Sequence, residues 1–212
     1  MNNKHIIFCI IFASILFSCE NKVVDYGLDK YFVEIVTAQG DNIFLLDNGK
    51  FIVATSDETK KDYTSGDRFL MNYTLLETRS SGDYNVRING SAKIPLGKTA
   101  IASDSIIQTS ANDPITLESV WLGSHYLNMK FYINYKSVAH SIGLIADSLS
   151  LKSDTVRMYF VHDTKNDPPG YPSHTYLSFD LKDVLGDPEK SRPISVQINT
   201  NNYGNKTYEF EY

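Results

Sequence analysis

Thiols are nearly absent from this 212-residue chain, whose only cysteines are Cys9 and Cys19. Tryptophan occurs once, at Trp121, and no basic cluster exceeds the Lys60-Lys61 pair. The longest apolar run, Ile6 to Leu16, has 11 residues. A membrane-spanning helix needs about 20. There is no Gly-rich phosphate loop, no Gly-x-Ser-x-Gly elbow and no His-Glu-x-x-His pair. These gaps exclude a disulfide scaffold and argue against a polytopic membrane protein or a nucleic-acid binder. The commonest hydrolase and nucleotide motifs are missing as well.

What is there begins at the N-terminus. Lys4 and His5 form a short basic region ahead of the apolar run, the layout of a signal peptide over residues 1–18. The run ends in Leu16-Phe17-Ser18-Cys19, which resembles the bacterial lipobox, although Phe17 is bulkier than the usual occupant. A peptidase needs a small residue beside the scissile bond, and the thiol after it must be free to take diacylglycerol. An incidental cysteine at the end of a buried helix fits less well, because the segment is not amphipathic and a polar stretch follows at once. Lipid attachment at Cys19 is therefore expected, and it uses the only thiol left once Cys9 is removed. Residues 19–30 read as a tether. Glu20, rather than aspartate, follows the cysteine and favours the outer membrane; which face the chain occupies stays open.

Removing residues 1–18 takes one lysine, leaving 19 basic against 25 acidic side chains. That balance gives nucleic acid and anionic lipid little to hold. Fourteen Tyr and eleven Phe favour strands over helices. Ile43–Leu46 and Phe51–Ala54 flank Asp47-Asn48-Gly49-Lys50, and Asn-Gly is a strong hairpin signal because both residues tolerate positive φ. Phe69, Met71, Tyr73 and Leu75 alternate with Arg68, Asn72 and Thr74, and Tyr84, Val86 and Ile88 return after a turn. This half, residues 31–110, is expected to be a small, strongly bent antiparallel barrel.

From residue 111 the alternation is cleaner. Leu127, Met129, Phe131 and Ile133 share one face, as do Val156, Met158 and Phe160, then Leu177 and Phe179, then Ile194, Val196 and Ile198. About seven strands over residues 111–212, greasy on one face and wet on the other, make a β-sandwich. The Cys…Trp…Cys spacing of antibody domains is missing. Asp180 to Gly186 can form one short helical turn.

The lipobox, Gly66-Asp67-Arg68…Asn72-Tyr73, Trp121…Tyr126-Leu127-Asn128 and His174-Thr175-Tyr176…Phe179-Asp180-Leu181 together resemble the NigD-like lipoproteins of Bacteroidetes-type bacteria. The resemblance implies an all-β chain, an OB-like barrel followed by an immunoglobulin-like sandwich. The family takes its name from a bacteriocin-associated gene cluster, which implies immunity as one role. It carries no catalytic or ligand-binding residues onto this chain.

Chemistry is sparse. His162-Asp163, Asp167 and His174, around the Asn166-Asp167-Pro168-Pro169-Gly170 loop, are a histidine and carboxylate grouping of the kind that can bind zinc or another divalent ion. Asp163, Asn166 and Asp167 are weak candidates for calcium, but the regular loop with its central Gly and terminal Glu is missing, and a stiff polar hairpin explains them equally. Tyr126 and Tyr132 fall on the wet face of one strand, roughly 20 Å apart. They are candidates for ligand or partner contact, or are covered by the other domain. A Ser-His-Asp assembly stays open because triads are spatial. The expectation is a non-enzymatic binding or assembly module without a cofactor, lipid-anchored in the envelope, facing a protein, peptide or glycan. Toxin immunity is the alternative and a hydrolase the third reading. Cys19→Ser should move the chain from the membrane to the soluble fraction and abolish palmitate labelling; an unchanged membrane fraction would refute lipid attachment at this residue.

Overall fold

The computed structural model describes residues 30–40, 42–186 and 191–212. The signal peptide, Cys19 and the tether as far as Asp29 lie outside the described residues. Five strands come first: β1 (Tyr31–Gly40), β2 (Ile43–Leu46), β3 (Phe51–Asp57), β4 (Arg68–Thr78) and β5 (Tyr84–Ile94). They close into a barrel in the order β1-β2-β3-β5-β4, with β4 pairing back to β1. All neighbours are antiparallel except β3 and β5. This is the OB-type arrangement.

The alternation read in the sequence explains the barrel's interior. Val36, Phe44, Ile52, Phe69, Met71, Val86 and Ile88 all point inward and are buried. Each such side chain contributes about 1.5–3 kcal/mol. Tyr63, from the polar β3–β4 connection, sets its ring edge-on against Phe44 at 4.9 Å and Phe69 at 5.0 Å. The Asn-Gly hairpin forms between β2 and β3, but only Gly49 takes positive φ (84°). Gly49 N–H donates to the Leu46 carbonyl at 3.0 Å and Leu46 N–H to the Lys50 carbonyl at 2.9 Å. That is a longer loop ending in a left-handed glycine, rather than two left-handed residues in succession.

The sandwich is built from β6 (Leu96–Ala102), α1 (Asp104–Thr109), β7 (Thr116–Gly123), β8 (Tyr126–Tyr135), β9 (Ser141–Asp147), β10 (Val156–Asp163), β11 (Tyr171–Asp180), α2 (Lys182–Leu185), β12 (Pro193–Thr200) and β13 (Gly204–Glu211). Its strand order is β13-β12-β10-β9-β6-β11-β8-β7. β6 lies parallel to both β9 and β11 and so joins the two layers. Gly97 in β6 is pressed against the ring of Phe179, leaving no room for a Cβ. The barrel therefore ends at Ile94 and the sandwich starts after Pro95, not at residue 111. A strand whose partners are 45 and 82 residues away gives no local hairpin signal. The inward residues of the sandwich form one core, including Leu127, Met129, Phe131, Met158, Phe160, Phe179, Val196 and Ile198.

Barrel and sandwich pack as one unit, joined at Arg68. This side chain, assigned by alternation to the barrel's wet face, is fully buried because the sandwich covers it. Its five N–H groups find five acceptor contacts. Nη1 donates to Thr37 Oγ1 at 2.8 Å and Asp47 Oδ1 at 2.9 Å, and Nη2 to Asp47 Oδ2 and Asn128 Oδ1, both at 2.9 Å. Nε donates to Ser178 Oγ at 3.2 Å. Asn128 Nδ2 returns to Asp47 Oδ2 at 2.9 Å, and Ser178 Oγ donates to Asn128 Oδ1 at 2.7 Å. The guanidinium lies 3.8 Å over the ring of Tyr126. Arg68→Met should destabilise the chain by about 3 kcal/mol, because it strands the Asp47 carboxylate and two buried polar side chains. Urea unfolding followed separately by Tyr and Trp121 signals should then split into two transitions, where the native chain shows one.

Candidate functional site

Two concave regions flank the sandwich face that carries β7, β8 and β11. The first is a groove of about 490 Å³ between the barrel wall and that face. Val33, Ile35 and Leu70 line it from the barrel, and Trp121, Leu122 and Tyr176 from the sandwich. Asp47 forms part of its floor, where Gly123 lets the carboxylate approach so closely that a Cβ would collide with it. The outer face continues from the groove along β8 and β11. Register places Tyr176 opposite Lys130 and His174 opposite Tyr132. Lys130 Nζ lies 5.6 Å from the Tyr176 ring centre and donates to Glu118 at 2.6 Å. Bonding to Lys130 and then to Tyr132 holds the Glu118 carboxyl below its usual range. The rings of Tyr132 and His174 are 3.7 Å apart.

The two tyrosines expected on this face separate. Tyr132 stays half-buried on it, whereas Tyr126 is only 6% exposed, under the Arg68 guanidinium. Tyr126 is thus covered by the barrel and offers no accessible platform. Alternation assigned it to the outer face correctly, but a one-strand pattern is silent on what covers that face.

The second region is a cleft, also about 490 Å³, roughly 20 Å farther along β8 from the Arg68 contact at Asn128. Pro114, Ile133, Pro169 and Pro172 wall it, with His140, His162, Asp113 and Asp167 at its side. His162 continues the inward parity of Val156, Met158 and Phe160, a signal sufficient to place it, and is 2% exposed. Its Nδ1 lies 3.2 Å from the Asp113 carbonyl and its Nε2 2.9 Å from His140 Nδ1. His140 Nε2 is 3.4 Å from Asp167 Oδ2 and has no hydrogen-bond partner among the described residues. Asp113 accepts from Thr164 N–H at 2.8 Å and Thr164 Oγ1 at 2.7 Å.

The weak metal candidates do not converge. Asp163 caps Lys165 N–H at 2.8 Å in a local turn, and Asn166 is an exposed residue with positive φ (58°). Asp167 turns away from both and accepts from the N–H groups of Lys136 (2.7 Å), Val138 (2.9 Å) and Ser137 (3.0 Å). Burial alone would raise its pKa, but these donors bring it down to about 2. No cluster of three His, Cys, Asp or Glu side chains suited to a metal occurs among the described residues. His174 sits apart, on Tyr132. Ser124, His125 and Asp180 form a Ser-His-Asp grouping at the β7–β8 turn. Ser124 Oγ is 3.1 Å from its neighbour's Nδ1, but His125 Nε2 is 3.7 Å from Asp180 Oδ2, beyond hydrogen-bond reach.

Residues 99–212 match the model of the NigD-like C-terminal beta sandwich domain. The chain belongs to the NigD-like family. Its fold recurs in a protein of unknown function, DUF1344, from Bacteroides vulgatus, at 24% identity and a TM-score of 0.73 over 86% of this chain and 91% of that one. It recurs also in a NigD-like immunity protein from Bacteroides caccae, at 22% identity and a TM-score of 0.60 over 88% and 98%. No curated protein matches the sequence. For this NigD-like chain the matched domain contains both histidines of the cleft and the sandwich wall of the groove.

Burial, partly offset by the bond to Asp113 and reinforced by nearby His140, lowers the pKa of His162 below 6.5. The folded chain therefore refuses a proton that the unfolded chain accepts once the pH falls through about 6.5. Stability should be full near pH 7 and drop towards pH 5, by at most about 1.4 kcal/mol per pH unit from this group. Urea midpoints across that range check it, and His162→Gln should flatten the slope.

Proposed function

We propose that this chain is a lipid-anchored cell-envelope protein that works by stoichiometric binding of a protein toxin, an immunity function within the broader class of non-enzymatic binding modules. The observation that carries this reading is the groove beside the Arg68 joint. Two domains are locked into one surface there, and Trp121 lies partly open on it with Val33, Leu70 and Tyr176 around it. Aromatic side chains at the centre of a concave, partly apolar surface supply most of the energy in protein recognition. The acidic balance and the paired Lys130 leave no basic stripe that would favour nucleic acid.

Two further considerations support immunity over a purely architectural role. A relative of the same fold is described as an immunity protein. The expected anchor at Cys19 leaves a 12-residue tether to Lys30, at most about 40 Å when extended. That keeps the groove near the bilayer, where a toxin acting on the envelope must arrive, and raises the local concentration for capture.

A deletion strain should become sensitive to at least one bacteriocin made by neighbouring strains, and the wild-type gene should restore resistance. Trp121→Ala, made at normal level and folded by circular dichroism, should fail to restore it. As the only tryptophan, Trp121 should also shift its fluorescence when that bacteriocin is added to the purified chain. Unchanged sensitivity of the deletion strain across the panel sinks the immunity reading.

A further inference from the structure

The first half of β1 is paired on one side only. β4 runs beside Tyr31 to Thr37, whereas β2 covers β1 from Val36 to Gly40 and turns away after Leu46. Ala38 N–H donates to the Asp67 carbonyl, on the β4 side, at 2.9 Å. Backbone direction alternates along a strand, so Val36, Glu34 and Phe32 also face β4, and Ile35 and Val33 direct their N–H and C=O groups to the other side. These four groups have no hydrogen-bond partner among the described residues. Tyr31, Phe32 and Val33 are exposed along the same stretch. An edge of this kind, long enough to pair and neither charged nor covered by a described residue, is a template for another strand.

The open edge lies between two cavities. Val33, Glu34 and Ile35 all line the groove that Trp121 shares. Consecutive strand residues point to opposite faces, so three in a row reach one cavity where the edge of the strand itself forms the wall. The second cavity, of about 250 Å³, is at the mouth of the barrel, with Phe32, Glu34 and Tyr73 on its wall. Glu34, Leu46 and Asn48 border both. The two cavities therefore meet along the line that β2 would follow if it continued past Leu46. Their linings hold two carboxylates, Glu34 and Asp47, and no basic side chain. Asp47 is matched by Arg68. Glu34 accepts from the Tyr73 hydroxyl and has no cationic partner among the described residues. Lys50 donates instead to the hydroxyl of Tyr84, at 2.7 Å.

We propose that the groove takes its protein partner as an added strand, an extended apolar–basic–apolar segment that pairs antiparallel with Val33 and Ile35. This deepens the reading of the groove as a protein-binding site and rests on it. The register follows from β2, whose Leu46 lies opposite Val36. Continued along that line, the added strand meets Ile35, Glu34 and Val33 in turn. Its residues opposite Ile35 and Val33 each exchange two backbone hydrogen bonds, four in all. Their side chains share the face of Ile35 and Val33, beside Leu70 and Trp121, which selects apolar ones. The residue between them forms the closer, non-hydrogen-bonded pair with Glu34. Its side chain turns to the barrel mouth, where a lysine or arginine meets an unpaired carboxylate and the stacked rings of Phe32 and Tyr73, 5.5 Å apart.

The test is an NMR titration of the purified full-length chain with an end-capped five-residue peptide that has lysine at its centre, valine on either side and threonine at both ends. The amide protons of Val33 and Ile35 should exchange freely beforehand and move downfield, saturably, as peptide is added up to millimolar concentration. N-methylation of the two valines should abolish the shift, because their N–H groups point at β1; N-methylation of the lysine should leave it. Glu34→Gln keeps an acceptor for Tyr73 and should weaken the lysine peptide by about two- to fivefold, without affecting one with glutamine at the centre. Absence of a saturable shift overturns the proposal, and so does an equal shift with the N-methylvaline peptide. Slow exchange of both amides in the free chain overturns it too, since the edge is then already paired, by a second copy or by another part of the chain. Equal affinity of Glu34→Gln for the lysine peptide overturns the choice of a basic residue. A bacteriocin that shifts Trp121 fluorescence but neither amide defeats the added strand and leaves immunity standing, whereas unchanged sensitivity of the deletion strain defeats immunity and leaves the peptide result standing.

Discussion

The relative placement of barrel and sandwich depends on a guanidinium out of reach of water. Burying Arg68 with Asp47 carries a desolvation penalty of several kcal/mol per ion, which attraction offsets only when the remaining donors and acceptors are also satisfied. They are satisfied here: each of the five N–H groups has an acceptor contact, two of them supplied by Asn128 and Ser178 from a different domain. The acceptors have few alternatives, because Asn128 and Ser178 are fully buried and bonded to each other. Swinging the sandwich away from the barrel would expose one half of this network and strand the other. The joint consequently fixes orientation, a task that an apolar contact of the same area, being non-directional, performs poorly.

That fixed orientation gives the groove its meaning. Val33, Ile35 and Leu70 belong to a barrel wall and Trp121 and Tyr176 to a sandwich face, so both domains line the groove. Gly123 belongs to the same logic, since any side chain there would push Asp47 out of the network. A binding surface assembled from two rigid sheets loses little conformational entropy when a partner docks.

Much of this architecture was legible in the sequence, and the illegible part has one physical cause. Alternation with period two separates the faces of a strand and finds its core-facing side, which is why Phe69, Met71, Leu127, Phe131, Met158 and Ile198 fall where the pattern puts them. It says nothing about what lies against the other face. Arg68, Tyr126, Asn128 and Ser178 all read as solvent-facing polar positions, and all four are buried by the same domain contact. β6 escaped for a related reason: its parallel partners β9 and β11 are distant in sequence, so no turn announces it. His162 was readable from its parity with Phe160. Its pairing with His140, across two strands and a loop, was not.

Arg68 and the histidine pair are buried polar groups treated in opposite ways. At the joint each donor meets an acceptor, so the count of hydrogen bonds is complete. At the tip of the sandwich the contacts run from the Asp113 carbonyl through His162 to His140 and stop there, because His140 Nε2 has no hydrogen-bond partner among the described residues. The complete network lies at Asn128 and the incomplete one roughly 20 Å away along β8. The barrel side of the joint reaches Asn128, whereas the cleft is lined by sandwich residues alone, so a change at the tip leaves the hydrogen bonds of the joint intact.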